Sequence, residues 1–234
     1  VGGNVGLVEQ DLGLRHEGLQ VVSVGAPVPP PAAGESGELY SRACRTEKCT
    51  AMEHPDLTEH TLDSRDEYRG RLLHVKKDRV RLPDGNESSR EYIVHPGAAV
   101  ILPVFENGDI LLERQHRYPL RRDFIELPAG KFDPHETELA CAQRELQEET
   151  GYVALKWREL PTFYPCIGYS NERLVYFLAE ELSFSGENMD EDEFLEILRV
   201  PFAEAMVMVG DGRIDEAKTV MGLLWFERFG AKGR

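Results

Sequence analysis

Residues 130–152 read GKFDPHETELACAQRELQEETGY. Their fixed points are Gly130, Glu136, Arg144, Glu145, Leu146, Glu148, Glu149, Gly151 and Tyr152, spaced as G-x5-E-x7-R-E-U-x-E-E-x-G-U with U apolar. The run from Glu136 to Thr150 predicts a helix, stopped by Gly151 at C′. On that helix Glu145, Glu148 and Glu149 stand at i, i+3 and i+4, so three carboxylates crowd one face. Like charges at this spacing destabilise a helix by roughly a few tenths of a kcal/mol per pair. A divalent cation among them resolves the conflict, and carboxylate oxygens suit Mg2+ or Mn2+ rather than zinc, which favours His and Cys. Leu139, Ala142 and Leu146 supply the buried face opposite. Arg144 is placed to pair with Glu136 or to orient a neighbouring carboxylate.

Upstream of this segment the pattern is strand-like. Leu72–Val75, Val80–Leu82 and Tyr92–Val94 are short candidates, with a turn signal at Asp84-Gly85, and the apolar run Ala98–Phe105 follows. Asn107-Gly108 between that run and Ile110–Leu112 predicts a hairpin with a long antiparallel pairing. Pro103 marks the first arm as an edge or a bulge. Phe124–Leu127 is a further short strand. Downstream, strands are expected at Lys156–Tyr164, Leu174–Leu178 and Phe194–Val200. Two helices close the chain, one opened by Pro201 at N1 and one from about Asp215 to Phe229. Strands interspersed with helices make an α/β layered domain.

The length of 234 residues allows one sizeable core, or one domain with a small accessory element. Acidic residues number 42 against 27 basic, a net charge of −15. That field opposes a sequence-independent grip on nucleic acid or on an anionic membrane. No apolar run approaches the roughly 18–20 residues of a membrane span. Cys44, Cys49, Cys141 and Cys166 follow no zinc or redox spacing, and the expectation is a soluble, reduced, cytoplasmic protein. Residues 1–51 are Gly-rich, carry the Pro29–Pro31 run and lack a sustained period. They read either as an over-extended reading frame with Met52 the natural start or as a disordered tail.

At roughly one in fifteen for each residue type, the fixed identities of the 130–152 segment recur by chance about once in 10⁸ windows. The pattern matches the Nudix box in full, and the chain resembles the Nudix hydrolases, which cleave nucleoside diphosphates linked to another moiety. The resemblance implies a Nudix α/β/α sandwich with a mixed sheet over 98–230, preceded by a small antiparallel N-terminal β element over 52–97. It also implies that the box forms a loop-helix-loop whose glutamates hold Mg2+. Glu113-Arg114-Gln115-His116-Arg117-Tyr118 and Phe124-Ile125-Glu126-Leu127-Pro128-Ala129-Gly130-Lys131 are similar to the ADP-ribose pyrophosphatase branch, and the likeness runs from about Met52 to Phe229.

By that resemblance, Gln115 and Arg117 sit beside the diphosphate or the terminal ribose, with Glu126 among the substrate-binding residues. The Ala129 carbonyl joins Glu145 and Glu149 around metal, and Glu148 lies between ions. Arg90 reaches the substrate from the N-terminal sheet across a homodimer interface. For Arg117 and Arg90 the competing reading is a surface salt bridge. Gly168-Tyr169-Ser170-Asn171-Glu172 resembles the branch's substrate loop, with Gly168 and Glu172 at the ligand. One departure precedes it: Cys166-Ile167-Gly168 stands where the branch often carries Ser-Pro-Gly. ADP-ribose stays the first substrate, with another nucleoside diphosphate sugar or a dinucleotide as alternative.

Water must attack a phosphorus shielded by negative charge, so metal neutralises the phosphates and a carboxylate takes the proton. The box glutamates are occupied by metal. The resemblance therefore points to Asp190-Glu191-Asp192-Glu193, before the last strand, with Glu191 or Glu193 as base; a solvated acidic loop is the competing reading. A Nudix-like ligand-sensing module is the non-enzyme alternative, but such forms generally lose box carboxylates, which are all present. The Gln115–Arg117 segment and the N-terminal strands speak against a triphosphate or RNA-end pyrophosphohydrolase. A purely structural role would leave three helix carboxylates without compensation.

Overall fold

The computed structural model describes residues 55–186 and 194–230; residues 1–51, Glu191 and Glu193 lie outside them. In chain order the elements are β1 (His60–Arg69), β2 (His74–Arg81), β3 (Glu87–Ile93), β4 (Ala98–Pro103), β5 (Asp109–Arg117), β6 (Arg122–Glu126), β7 (Ala129–Lys131), α1 (Glu138–Thr150), β8 (Tyr152–Phe163), β9 (Leu174–Phe184), β10 (Leu195–Pro201), α2 (Phe202–Gly210) and α3 (Ala217–Phe229). They form three sheets, ordered β1-β2-β3, β10-β5-β6 and β7-β4-β9-β8. The third is mixed, because β4 and β9 run parallel while their outer neighbours pair antiparallel.

The apolar run at β4 is explained by burial on both faces, which removes any need for alternation. Val100, Leu102 and Val104 join Ile110, Leu112, Leu127 and Tyr176 in one core with residues of α2 and α3, including Met208 and Leu223. Ala99 and Ile101 face the other way, into a second core with Cys141, Ala142 and Leu146 of α1 and with Val175 and Phe177. The mixed sheet is thus sandwiched between α1 on one side and the second sheet with α2 and α3 on the other.

Three sequence expectations are corrected here. The Asn107-Gly108 turn forms, with Gly108 at φ 85°, but its arms do not pair at length. A single bridge joins Val104 to Ile110, after which β4 and β5 enter different sheets. The reason is that β7 and β9 occupy both hydrogen-bonding edges of β4. Pro103 accordingly marks neither an edge strand nor a bulge; it is the last residue of an inner strand. Leu139 is exposed, and Cys141 takes its place in the buried stripe of α1. A smaller shift concerns Pro201, which is the N-cap of α2 rather than its first helical residue.

The α1 boundaries follow from its ends. Thr137 caps it by accepting the Ala140 N–H, and Gly151 closes it at φ 72°, its N–H donating to the Gln147 carbonyl. Strand β1 carried no sequence signal, because all ten of its residues are exposed and no apolar face alternates along it. Its register with β2 sets Asp63 against Arg79 and Asp66 against Lys76, and opposite charges across a ladder support pairing. Among the described residues no helix is long and apolar enough to cross a membrane.

Candidate active site

A cleft of about 550 Å³ gathers residues from most of these elements. Gln115 and Arg117 come from β5, Glu126 from β6, Ala129 and Gly130 from β7, Glu145 and Glu149 from α1, Glu172 from the loop before β9 and Lys218 from α3. The structure therefore brings together Gln115, Arg117, Glu126, Ala129, Glu145, Glu149 and Glu172. Glu148, Gly168 and Arg90 do not line it.

The helical wall divides the box glutamates. At about 100° per residue, Glu145 and Glu149 lie nearly above one another, whereas Glu148 is rotated a quarter turn away from Glu149. Glu145 and Glu149 border the buried stripe and face β7. Glu149 accepts the Ala129 N–H at 3.0 Å, and a Cβ on Gly130 would lie 1.8 Å from the Glu145 carboxylate carbon. Gly130 is thus required at this position because the Glu145 carboxylate occupies the space a side chain would need. Arg144 holds the outer side. Its Nε and Nη2 donate to Glu136 at 2.9 and 3.0 Å, and its Nη1 donates to Glu145 at 2.8 Å and Glu148 at 2.9 Å. These carboxylates, Glu136 foremost, push the guanidinium pKa further up, and Arg144 in turn holds Glu136 below the usual carboxylate range.

The expectation that the helix carboxylates lack compensation is thereby corrected: Arg144 pairs with two of them, and the Ala129 amide serves the third. Among the described residues no three His, Cys, Asp or Glu side chains are drawn together as a ligand group. The donor set nevertheless fits a hard divalent cation. Glu145 and Glu149 face the cleft one turn apart beside Ala129, all donors are oxygen, and Gly130 leaves the Glu145 carboxylate its room.

The strand wall is a buried charge network. Glu113 and Glu126 are cross-strand partners in β5 and β6, each 1% exposed. Glu126 accepts from Arg117 Nε at 2.6 Å and Nη2 at 2.7 Å, a bidentate pair, and from Lys218 Nζ. Burial opposes its charge, but Arg117 and Lys218 hold its pKa below the ordinary value. Glu113 Oε2 has no hydrogen-bond partner. Burial pushes this carboxyl up to about 7, against the pull of Lys218 and with the Glu126 charge adding to the rise. Arg117 is thus paired, as the competing reading held, yet with a buried carboxylate at the cleft rather than a surface one.

On the remaining side, His95 Nδ1 accepts the Gly97 N–H at 3.0 Å. In the neutral ring this leaves the proton on Nε2, which lies 3.8 Å from Glu172. The Asn171 side chain fixes the segment by accepting the His95 N–H at 2.7 Å, and the Ile93 N–H donates to the Tyr169 carbonyl at 2.8 Å. The 168–172 loop is thereby tied to the end of β3. Arg90 pairs with Glu59 and hydrogen-bonds Ser88 and Ser89 on the outer sheet.

Sequence reading missed Glu113, Lys218 and His95. A charged residue placed directly after the apolar run Ile110–Leu112 was a signal for Glu113. Lys218 had none, since its role depends on where α3 begins in space.

The chain matches the NUDIX domain family over residues 94–222 and the nucleoside diphosphate sugar hydrolase N-terminal domain over residues 59–93. It is 38% identical to the ADP-ribose pyrophosphatase of Bacillus subtilis (strain 168), over 73% of this chain and 94% of that protein. It is 32% identical to the methanol dehydrogenase activator of Bacillus methanolicus, over 72% of this chain and 92% of that protein. Among solved structures it is similar to an ADP compounds hydrolase at 25% identity and a TM-score of 0.69, covering 77% of this chain and 100% of that one.

Proposed function

Because the chain belongs to the NUDIX family, we propose that it hydrolyses the diphosphate of ADP-ribose to AMP and ribose 5-phosphate with Mg2+. The observation that carries this reading is one cleft joining Gln115 and Arg117 to the box carboxylates Glu145 and Glu149. The names of the Bacillus subtilis relative and of the similar solved structure support the substrate. Nudix hydrolases generally need a divalent metal. Glu145, Glu149 and the Ala129 carbonyl, with Glu148 beside them, would hold Mg2+, which would neutralise phosphate charge and lower the pKa of water. The chain's own groups do the rest. Arg117 and Gln115 hold the diphosphate or the adjoining ribose, Glu172 faces the sugar, and Glu191 or Glu193 takes the proton of the attacking water. The P–O–P anhydride breaks as a new P–O bond forms to the water oxygen. In the same reading Arg90 reaches this cleft from the partner of a homodimer formed through β1–β3, and the enzyme works in the cytoplasm.

The second reading is another nucleoside diphosphate sugar, favoured by Ile167 in place of the branch's proline. A product assay over ADP-ribose, other nucleotide sugars, dinucleotides and triphosphates tests both. ADP-ribose should give AMP and ribose 5-phosphate; a nucleotide sugar or triphosphate turned over at least about tenfold faster in kcat/KM overturns the substrate.

A further inference from the structure

Lys218 lies outside the box and outside every motif described above, yet its ammonium is built into the cleft wall. It is 12% exposed and donates to Glu126 and, at 3.2 Å, to Glu216. The start of α3 that carries it is bolted to the strands of the site. Glu216 accepts the Lys218 N–H at 2.9 Å and the Thr219 N–H at 3.0 Å. The Leu127 N–H donates to Thr219 Oγ1 at 2.8 Å, and the Tyr176 hydroxyl donates to the Lys218 carbonyl at 2.7 Å. A long, flexible side chain is thereby given one place to end.

We propose that Lys218 is a positioning residue for Arg117, acting through Glu126. Two buried carboxylates, Glu113 and Glu126, face each other across β5 and β6. Without a second cation, the Arg117 guanidinium would have to serve both and would be drawn inward. Lys218 takes part of the demand at Glu126 Oε2, so Arg117 spends Nε and Nη2 on Glu126 and keeps Nη1 outside that pair. A diphosphate is an acceptor suited to that remaining donor. This inference rests on the reading that a nucleoside diphosphate sugar fills the cleft.

The test is a double-mutant cycle of Lys218→Met and Glu126→Gln. KM is read on whichever nucleotide sugar the wild type turns over, and the Kd for the same compound is read by calorimetry in metal-free buffer. Lys218→Met should raise both constants about tenfold with kcat within about threefold, and Glu126→Gln/Lys218→Met should bind no more weakly than Glu126→Gln alone. Should Lys218→Met fail to fold, the double variant carries the test, because it removes both buried charges together. KM and Kd of Lys218→Met within about twofold of wild type would overturn the proposal, as would a further tenfold loss from Glu126→Gln to the double variant. If the wild type prefers a sugar other than ADP-ribose, the substrate reading fails and the cycle is still decided on that sugar.

Discussion

The outer sheet β1–β3 and the cleft are both written in charged residues, and they use them in opposite ways. In the sheet, Arg79 pairs with Asp63 and Glu87, and Lys77 with Glu91, all with a third or more of the side chain in water. Water solvates these groups whether or not they meet, so each pair does little beyond favouring one register. In the cleft, Glu113 and Glu126 are 1% exposed and Glu149 is 7% exposed, so every missing partner costs desolvation in full. Counting ion pairs would rank the sheet above the cleft. Burial reverses that order, and it predicts where substitutions will be felt.

The largest effect is expected from Glu149→Gln and Glu145→Gln. Each replaces an ionised oxygen donor by a neutral amide of the same shape, so the fold should survive. The rate should fall by about 10³ or more as Mg2+ affinity is lost, since metal supplies several kcal/mol of charge stabilisation. Steady-state kinetics against Mg2+ concentration checks this. Activity within a few-fold of wild type would remove both residues from the metal site.

Next comes the base. If metal is held by the box glutamates, ligation lowers their proton affinity, whereas the family resemblance assigns Glu191 and Glu193 to the base and not to the metal. Loss of a general base costs about 10²–10⁴ in rate. One of Glu191→Gln and Glu193→Gln should lose kcat by that order with KM little changed, the other staying near wild type. If both keep kcat between about pH 6 and 9, the base belongs to the box, Glu148 first.

The same contrast decides what the sequence could disclose. The box was legible because its spacing is local to one helix, and the inner strand was legible because Ala98–Phe105 is apolar throughout. The Asn107-Gly108 turn misled about pairing, because a turn signal says nothing of which strands will take the edges of β4. Strand β1 was silent since its pairing rests on β2 and not on an apolar face. Arg144 was placed correctly against Glu136, but its hold on Glu145 and Glu148 needed side-chain geometry. Lys218 meets Glu126 across 92 residues of sequence, a separation no local pattern spans.

Arg144 lies between the two regimes, with 29% of its side chain exposed. Arg144→Met should lower the melting temperature by about 5 °C, because Glu136, Glu145 and Glu148 lose their shared donor. The pH dependence has a definite sign. Glu136 is held below its ordinary pKa, so its contribution is present above the unfolded carboxylate value and lost as pH falls through the folded one. In Arg144→Met that acid-side loss should shrink. Thermal melts as a function of pH check this, and an acid limb as steep as wild type would show that Arg144 does not set the Glu136 charge.

The smallest effects belong to the outer sheet, where Arg79 and Arg90 look alike in a single chain. Both are exposed, and both pair with acidic neighbours, Arg79 with Asp63 of β1 and Arg90 with Glu59 just before β1. Solvent screening means that neither Arg79→Gln nor Arg90→Gln should move the melting temperature by more than about 2 °C. Their kinetics should separate them. If Arg90 serves a partner's cleft, Arg90→Gln should raise KM by about tenfold with kcat nearly unchanged, the mark of a lost ground-state contact. Arg79→Gln should leave both constants at wild-type values, since Arg79 pairs only within the outer sheet, with Asp63 of β1 and Glu87 of β3. Equal, unchanged KM values for the two variants would make Arg90 another surface pair, and the sheet would then have no part in substrate binding through this residue.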